Sequence, residues 1–153
     1  MILVAALLLA TVGCSSTEKR LYEVTVKNET DHPITIWMTK DGPPEENGWR
    51  SPEQIAIRAP GHEERIAGMV VPAGKTAYRD PVQGEFERGS YAWLRVYDGK
   101  YSSFSELLSV SSKSVDRVDF ALERGKNTLV VKEKAGRIVV EVETQQLKLP
   151  EAK

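Results

Sequence analysis

A cysteine at the end of an apolar run carries the clearest chemical signal in this chain. Cys14 is the sole thiol. It follows Ile2 to Val12, an uncharged run apolar but for Thr11, and precedes an abrupt change to Ser15-Ser16-Thr17-Glu18-Lys19-Arg20. A lone thiol forms no internal disulfide and no cysteine-based zinc site. The small Gly13, at the switch in polarity, lets a peptidase reach the backbone beside Cys14. The other candidates for chemistry fall away in turn. Gly74-Lys75-Thr76 invites a phosphate-loop reading, but the glycine required five residues earlier is Met69, and no helix follows. His62-Glu63-Glu64-Arg65-Ile66 opens like a zinc-protease helix and lacks the second histidine; the other histidine of the chain is His32. The serines from Ser102 to Ser114 form no Gly-x-Ser-x-Gly elbow and show no base partner. Glu45-Glu46 and Glu63-Glu64 read as solvated loop charges, because acid–base work needs shaped, desolvated sites. The sequence therefore assigns no catalytic residue, no metal and no cofactor.

The apolar run is too short for a spanning helix, which needs about 20 residues. It has the length of a signal-peptide core. Val12, Gly13 and Cys14, with Thr11 where leucine is usual, resemble the lipobox of bacterial lipoprotein precursors. That resemblance covers residues 1–16 and implies cleavage after Gly13, diacylglycerol on the Cys14 sulfur and acylation of the new amine. Ser15 stands where Asp is the usual inner-membrane retention signal, which implies the outer membrane in a cell that has one. No Lys or Arg precedes the run, which points to a true start upstream of Met1. Each buried CH2 adds about 0.8 kcal/mol, so several acyl chains hold a folded domain firmly at a membrane. The expected organisation is a signal peptide at 1–13, a lipidated cysteine and tether at 14–20, a folded domain at 21–143 and a polar tail at 144–153. Fully extended, Ser15 to Arg20 spans at most roughly 20 Å.

The segment from Lys40 to Arg50 is the candidate binding loop: Asp41-Gly42-Pro43-Pro44-Glu45-Glu46-Asn47-Gly48-Trp49. Long loops on a rigid scaffold are where function concentrates. Asp41, Pro43, Pro44 and Trp49 are its candidate site residues, with Trp49 an aromatic anchor for a sugar ring, a peptide or a protein. The competing expectation is that Trp49 folds back and plugs the open end of the domain, with a helix from Pro52 beside it. Trp37 and Trp93 sit within strand patterns and read as core or sheet-face packing. The mature chain also resembles small bacterial lipoproteins in which a Thr-Lys-Asp-Gly-Pro-Pro loop (Thr39 to Pro44) precedes a Gly-Trp and a Ser-Pro-Glu helix start. That likeness implies no activity.

The elements that must hold this loop are mostly strands. Hydrophobic residues are 41% and charged residues 28%, which suits a folded domain rather than a disordered chain. From Leu21 the dominant period is two. Tyr22, Val24 and Val26 alternate with polar residues, as do Ile34, Ile36 and Met38, and Val118, Phe120 and Leu122. Pro72-Ala73-Gly74 reads as a hairpin turn between Met69–Val71 and Lys75–Tyr78, and Asp98-Gly99 as a further hairpin signal after the Tyr91–Tyr97 strand. Ala135-Gly136 turns a last hairpin. Ser51-Pro52-Glu53-Gln54 is a capping box with Pro at the first helical position, which predicts a short helix near 52–58. Ser103-Phe104-Ser105-Glu106 fits a second capping box, although a strand fits the following residues almost as well. Short strands with turns every eight to twelve residues predict an all-β, antiparallel β-sandwich, Ig-like or transthyretin-like in general character, with a barrel as the alternative.

Lys and Arg number 21 against 22 Asp and Glu, a net charge of -1. Without a surplus of cations no nucleic-acid partner is expected. The functional expectation is a non-catalytic, lipid-anchored cell-envelope protein on the periplasmic side of a membrane, with a binding or structural role. Its partners are the membrane, through Cys14, and a protein or glycan of the envelope. The alternative is a carbohydrate- or peptidoglycan-binding accessory that uses the Trp49 loop, and an enzyme ranks below both.

Overall fold

The structure, a computed structural model, describes residues 16–58 and 68–143. The expected leader, Cys14, the His62–Ile66 segment and the 144–153 tail lie outside the described residues. In chain order the elements are β1 (Thr17–Asn28), β2 (Ile34–Lys40), a 3-10 turn (Asn47–Trp49), α1 (Pro52–Arg58), β3 (Met69–Val71), β4 (Thr76–Glu87), β5 (Ala92–Asp98), α2 (Phe104–Ser109), β6 (Arg117–Leu122), β7 (Gly125–Lys134) and β8 (Arg137–Val142). The strands form two four-stranded sheets, ordered β4-β1-β7-β8 and β3-β2-β5-β6. The β-sandwich is thus present, as two separate sheets rather than a closed barrel.

One pair departs from the antiparallel rule. Strand β1 runs parallel to β7, with Tyr22 opposite Gly125 and Asn28 opposite Val131. The cause is topological: β6 ends at Leu122 in the second sheet, and the chain crosses at Glu123-Arg124 to begin β7 at the end where β1 also begins. The other pairs are antiparallel. The Pro72-Ala73-Gly74 turn also differs from expectation. Gly74 does take the left-handed conformation, φ 65°. The flanking strands do not pair, however: β3 joins β2 in one sheet and β4 joins β1 in the other. A local turn signal reverses the chain; packing of the two layers decides whether the strands share a ladder. Asp98-Gly99 likewise opens not a tight hairpin but the connection that carries α2, before β6 returns to pair with β5. Ala135-Gly136, with φ values of 53° and 71°, is a true two-residue hairpin.

The domain also begins earlier than position 21. Thr17 to Arg20 are paired residues of β1, opposite Glu87 to Gly84 of β4. Strand β4 runs on past Pro81, because Pro81 sits at the register shift opposite Glu23, where a missing N–H breaks no regular ladder bond.

The inward alternation is as read: Tyr22, Val24, Val26, Ile34, Ile36, Met38, Leu94, Val96, Leu129 and Val131 fill the space between the sheets. Trp49 joins them, 1% exposed, at the end where β1 begins. Its ring stands edge-on to Tyr22 at 5.5 Å and to Phe86 at 5.2 Å. Its Nε1 donates to the Gln83 carbonyl at 3.0 Å, which satisfies a group on the outer edge of β4. Arg20 and Lys40 lie over the Phe86 ring at 4.9 and 5.1 Å. The Lys40 ammonium is held by Glu46, whose Oε2 also accepts from the Glu85 N–H at 3.0 Å.

A second apolar layer lies outside the β3-β2-β5-β6 sheet. Helices α1 and α2 cover that face, and Trp37, Ile55, Tyr97, Leu107 and Val110 pack together under them. All of β2 is therefore buried on both faces. Both predicted capping boxes form: Ser51 Oγ accepts from the Gln54 N–H at 3.2 Å, and Ser103 Oγ from the Glu106 N–H at 3.3 Å. A β-carbon added at Gly84 would lie 2.5 Å from Trp49 Nε1 and 3.0 Å from the Phe86 ring. Gly84→Ala is expected to destabilise the fold by about 1–3 kcal/mol. Urea unfolding should show a lower midpoint at unchanged slope; a wild-type midpoint would mean that Trp49 does not lie against β4.

Candidate functional site

Side chains alternate across a strand, so Trp93, Arg95 and Tyr97 of β5 face away from the other sheet. Trp37 and Thr39 of β2 and Arg117 and Asp119 of β6 share that outer face. The helices cover the part around Trp37 and Tyr97. The part toward the start of β5 stays open as a groove of about 580 Å³ between α1 and the sheet, lined chiefly by Asp41, Glu53, Gln54, Trp93, Arg95 and Asp119. Its size lies within the roughly 300–1,000 Å³ of small-molecule sites.

The groove has an aromatic wall and a polar floor. Trp93 is half-buried, and its Nε1 donates to Asp41 Oδ2 at 2.7 Å, which holds the indole upright. Tyr91, 56% exposed, stands beside it with ring centroids 5.9 Å apart at 52°. On the floor, Arg95 Nη1 donates to both Glu53 oxygens at 2.6 and 2.9 Å. Arg117 donates to Asp119 through Nε at 2.7 Å and Nη2 at 2.6 Å, and reaches Glu53 at 3.4 Å. Burial alone would raise the Glu53 carboxyl, but the Arg95 hydrogen bonds, with further donors at the head of α1, outweigh it and hold Glu53 below 4.5. The guanidinium–carboxylate pairs make this floor rigid and keep Glu53 charged.

The loop residues expected from sequence separate here. Asp41 reaches the groove rim. Pro43 is exposed and Pro44 half-buried, joined by a cis bond, and neither lines the groove. Trp49 takes the second of its two expected roles: it plugs the sandwich end, 1% exposed, and offers no surface to a ligand. Trp37 is also buried, 2% exposed, with Nε1 donating to the Arg50 carbonyl at 2.9 Å. The aromatic that does face a groove is Trp93, and Glu53, Gln54, Arg95 and Asp119 join it without having been singled out. The readable signal was the outward phase of Tyr91, Trp93, Arg95 and Tyr97, in which a cation sits among aromatics.

A second cluster lies at the far end, after β1. Asp31, His32 and Glu133 bring possible ligand atoms within 4.8 Å of one another. Both His32 nitrogens are already engaged, Nδ1 by Asp31 at 2.7 Å and Nε2 by Asp98. The cluster is therefore a hydrogen-bonded clasp between the β1–β2 turn and the end of β5. The Asp31 hydrogen bond first, then that of Asp98, outweighs partial burial and raises the His32 pKa above 6.5.

No protein-family model, no curated protein and no solved structure matches this chain.

Two outcomes follow from these placements. Trp49→Ala empties a site between the buried rings of Tyr22 and Phe86 and should lower stability by about 3–5 kcal/mol, read by calorimetry, whereas a surface anchor would leave the midpoint unchanged. For His32 the folded state favours the imidazolium, so its contribution is full below the unfolded pKa and fades as pH rises through the higher folded one. His32→Gln should therefore lower the melting temperature more at about pH 6 than at about pH 9; an equal loss at both would show that the charge is not involved.

Proposed function

We propose that this chain is a lipid-anchored protein of the bacterial cell envelope with a binding rather than a catalytic role. An acylated Cys14 holds it on the periplasmic side of a membrane, the outer membrane where one exists, and the groove beside Trp93 takes the ligand. The support for the anchor is chemical: the sole thiol stands where an apolar run of signal-peptide length gives way to polar sequence. The support for a binding role is the state of the groove's ionisable groups. A general acid near neutral pH needs a carboxyl whose pKa is raised. Glu53 is lowered instead, and Asp119 has both oxygens on Arg117. A preset polar floor beside half-buried Trp93 and exposed Tyr91 is suited to recognition, with the aromatic rings as the energetic anchor. The near-neutral charge, -1, speaks against nucleic acid as the partner.

Cells expressing the full chain and fed labelled palmitate should yield a labelled protein in the membrane fraction. In Cys14→Ser the label should vanish and the protein leave the membrane. Recovery of wild-type protein with its leader intact, or with a free thiol, would overturn the anchor.

A further inference from the structure

We infer that the groove between α1 and the outer face of the β3-β2-β5-β6 sheet binds a saccharide that carries no acidic groups. The assignment rests on the binding role proposed above and names its ligand class. Three observations carry it.

The first is the aromatic wall. Half-buried Trp93 lines the groove, and exposed Tyr91 extends the aromatic surface beyond it, the two ring centroids 5.9 Å apart. A pyranose ring has a face of C–H bonds, slightly positive, that stacks on the negative face of an indole or phenol. A free peptide or an apolar molecule would also value the rings, but not the surroundings they come with.

The second is the arrangement of polar groups opposite the rings. The groove offers acceptors on Asp41, Glu53 and Asp119, a guanidinium on Arg95, and an amide on Gln54. These groups are planar, and each can engage neighbouring hydroxyls of a sugar as donor or acceptor. They are also preset. Asp41 uses one oxygen on Trp93 and keeps the other, Arg95 is held by Glu53, and Gln54 is held by the Ser51 N–H at 2.8 Å. Side chains already fixed lose little freedom on binding, which suits a weakly sticky, hydroxyl-rich ligand.

The third is charge. Lys40 also lines the groove, but its ammonium is turned to Glu46 and the Glu85 carbonyl. That leaves the three carboxylates of Asp41, Glu53 and Asp119 against the two guanidiniums of Arg95 and Arg117, an excess of one negative charge that falls on the Asp41 rim. A phosphate, a uronate or a phosphopeptide would meet this excess of negative charge in a partly desolvated site, so a neutral sugar is accepted where an anionic one is repelled.

The full-length protein, purified in detergent from palmitate-labelled cells, is titrated with N-acetylglucosamine oligomers, glucose oligomers and polygalacturonate oligomers. Binding is read by tryptophan fluorescence and by heat. Saturable binding of one of the neutral series is expected, with polygalacturonate at least about tenfold weaker. Trp93→Ala and Tyr91→Ala should each weaken the neutral oligomer at least about tenfold. Tyr91 is exposed, so its variant decides the matter should Trp93→Ala not fold. No binding by either neutral series, wild-type affinity in Tyr91→Ala, or saturable binding of a proline-rich peptide in place of the oligomers would overturn the assignment. A labelled protein that binds neither neutral series refutes the saccharide and leaves the anchor standing. An unlabelled protein that binds one refutes the anchor and supports the saccharide.

Discussion

The contact between Trp49 and Gly84 organises this molecule. A β-sandwich is open at its ends and along its edges, and both must be closed without leaving backbone groups unpaired. Trp49 closes one end by lying on β4 at the position where a side chain is missing. From there its neighbours reach outward. Its own carbonyl accepts from Thr39 Oγ1 at 2.9 Å, and the next carbonyl, of Arg50, accepts from Trp37. Those bonds bring the chain over the edge of β2 and start α1 on the sheet's outer face. The loop after β2, the helix and the groove are thus consequences of one buried indole.

The outer layer then divides a single sheet face into two chemistries. Around Trp37 and Tyr97 the helices supply Ile55, Leu107 and Val110, and the face becomes a small core. Around Trp93 and Arg95 only one turn of α1 approaches, and it presents Glu53 and Gln54 in place of aliphatic groups. Burying a charge is tolerable only when it is paired, and here each cation of the floor has its carboxylate. The result is a concave, polar patch beside half-buried Trp93, built from β2, β5, β6 and α1 with Asp41 of the loop at its rim.

Much of this architecture is legible in the residues. Period-two alternation finds the inner faces of β1, β2, β5 and β6, because those strands have one apolar face between the sheets. The capping boxes at Ser51 and Ser103 announce both helices. What escapes is non-local. Pro72-Ala73-Gly74 looks the same whether its strands pair or part, and the parallel alignment of β1 with β7 depends on which sheet each crossing reaches. Strand β4 is read only to Tyr78 in the sequence, because a bulge that shelters Pro81 is visible only with its partner strand. The site follows the same pattern. Asp41 is marked by its loop, and the plug role of Trp49 by the helix start that follows it. Trp93 escapes: a tryptophan inside a strand looks buried until it is known which strand face carries a second layer and where that layer stops.

The early start of β1 has a mechanical consequence. With Thr17 already paired to Glu87, only Ser15 and Ser16 would separate the acylated Cys14 proposed above from β1, a leash of about 10 Å. On that proposal, a leash so short would keep the Asp41–Tyr91 end beside the headgroups and hold the far end within about 40 Å of them, the length of a 12-residue strand. The groove, near the same end, would then lie just above the bilayer. It would survey the thin zone where sugars emerge from the lipid surface and never meet those borne on structures farther out.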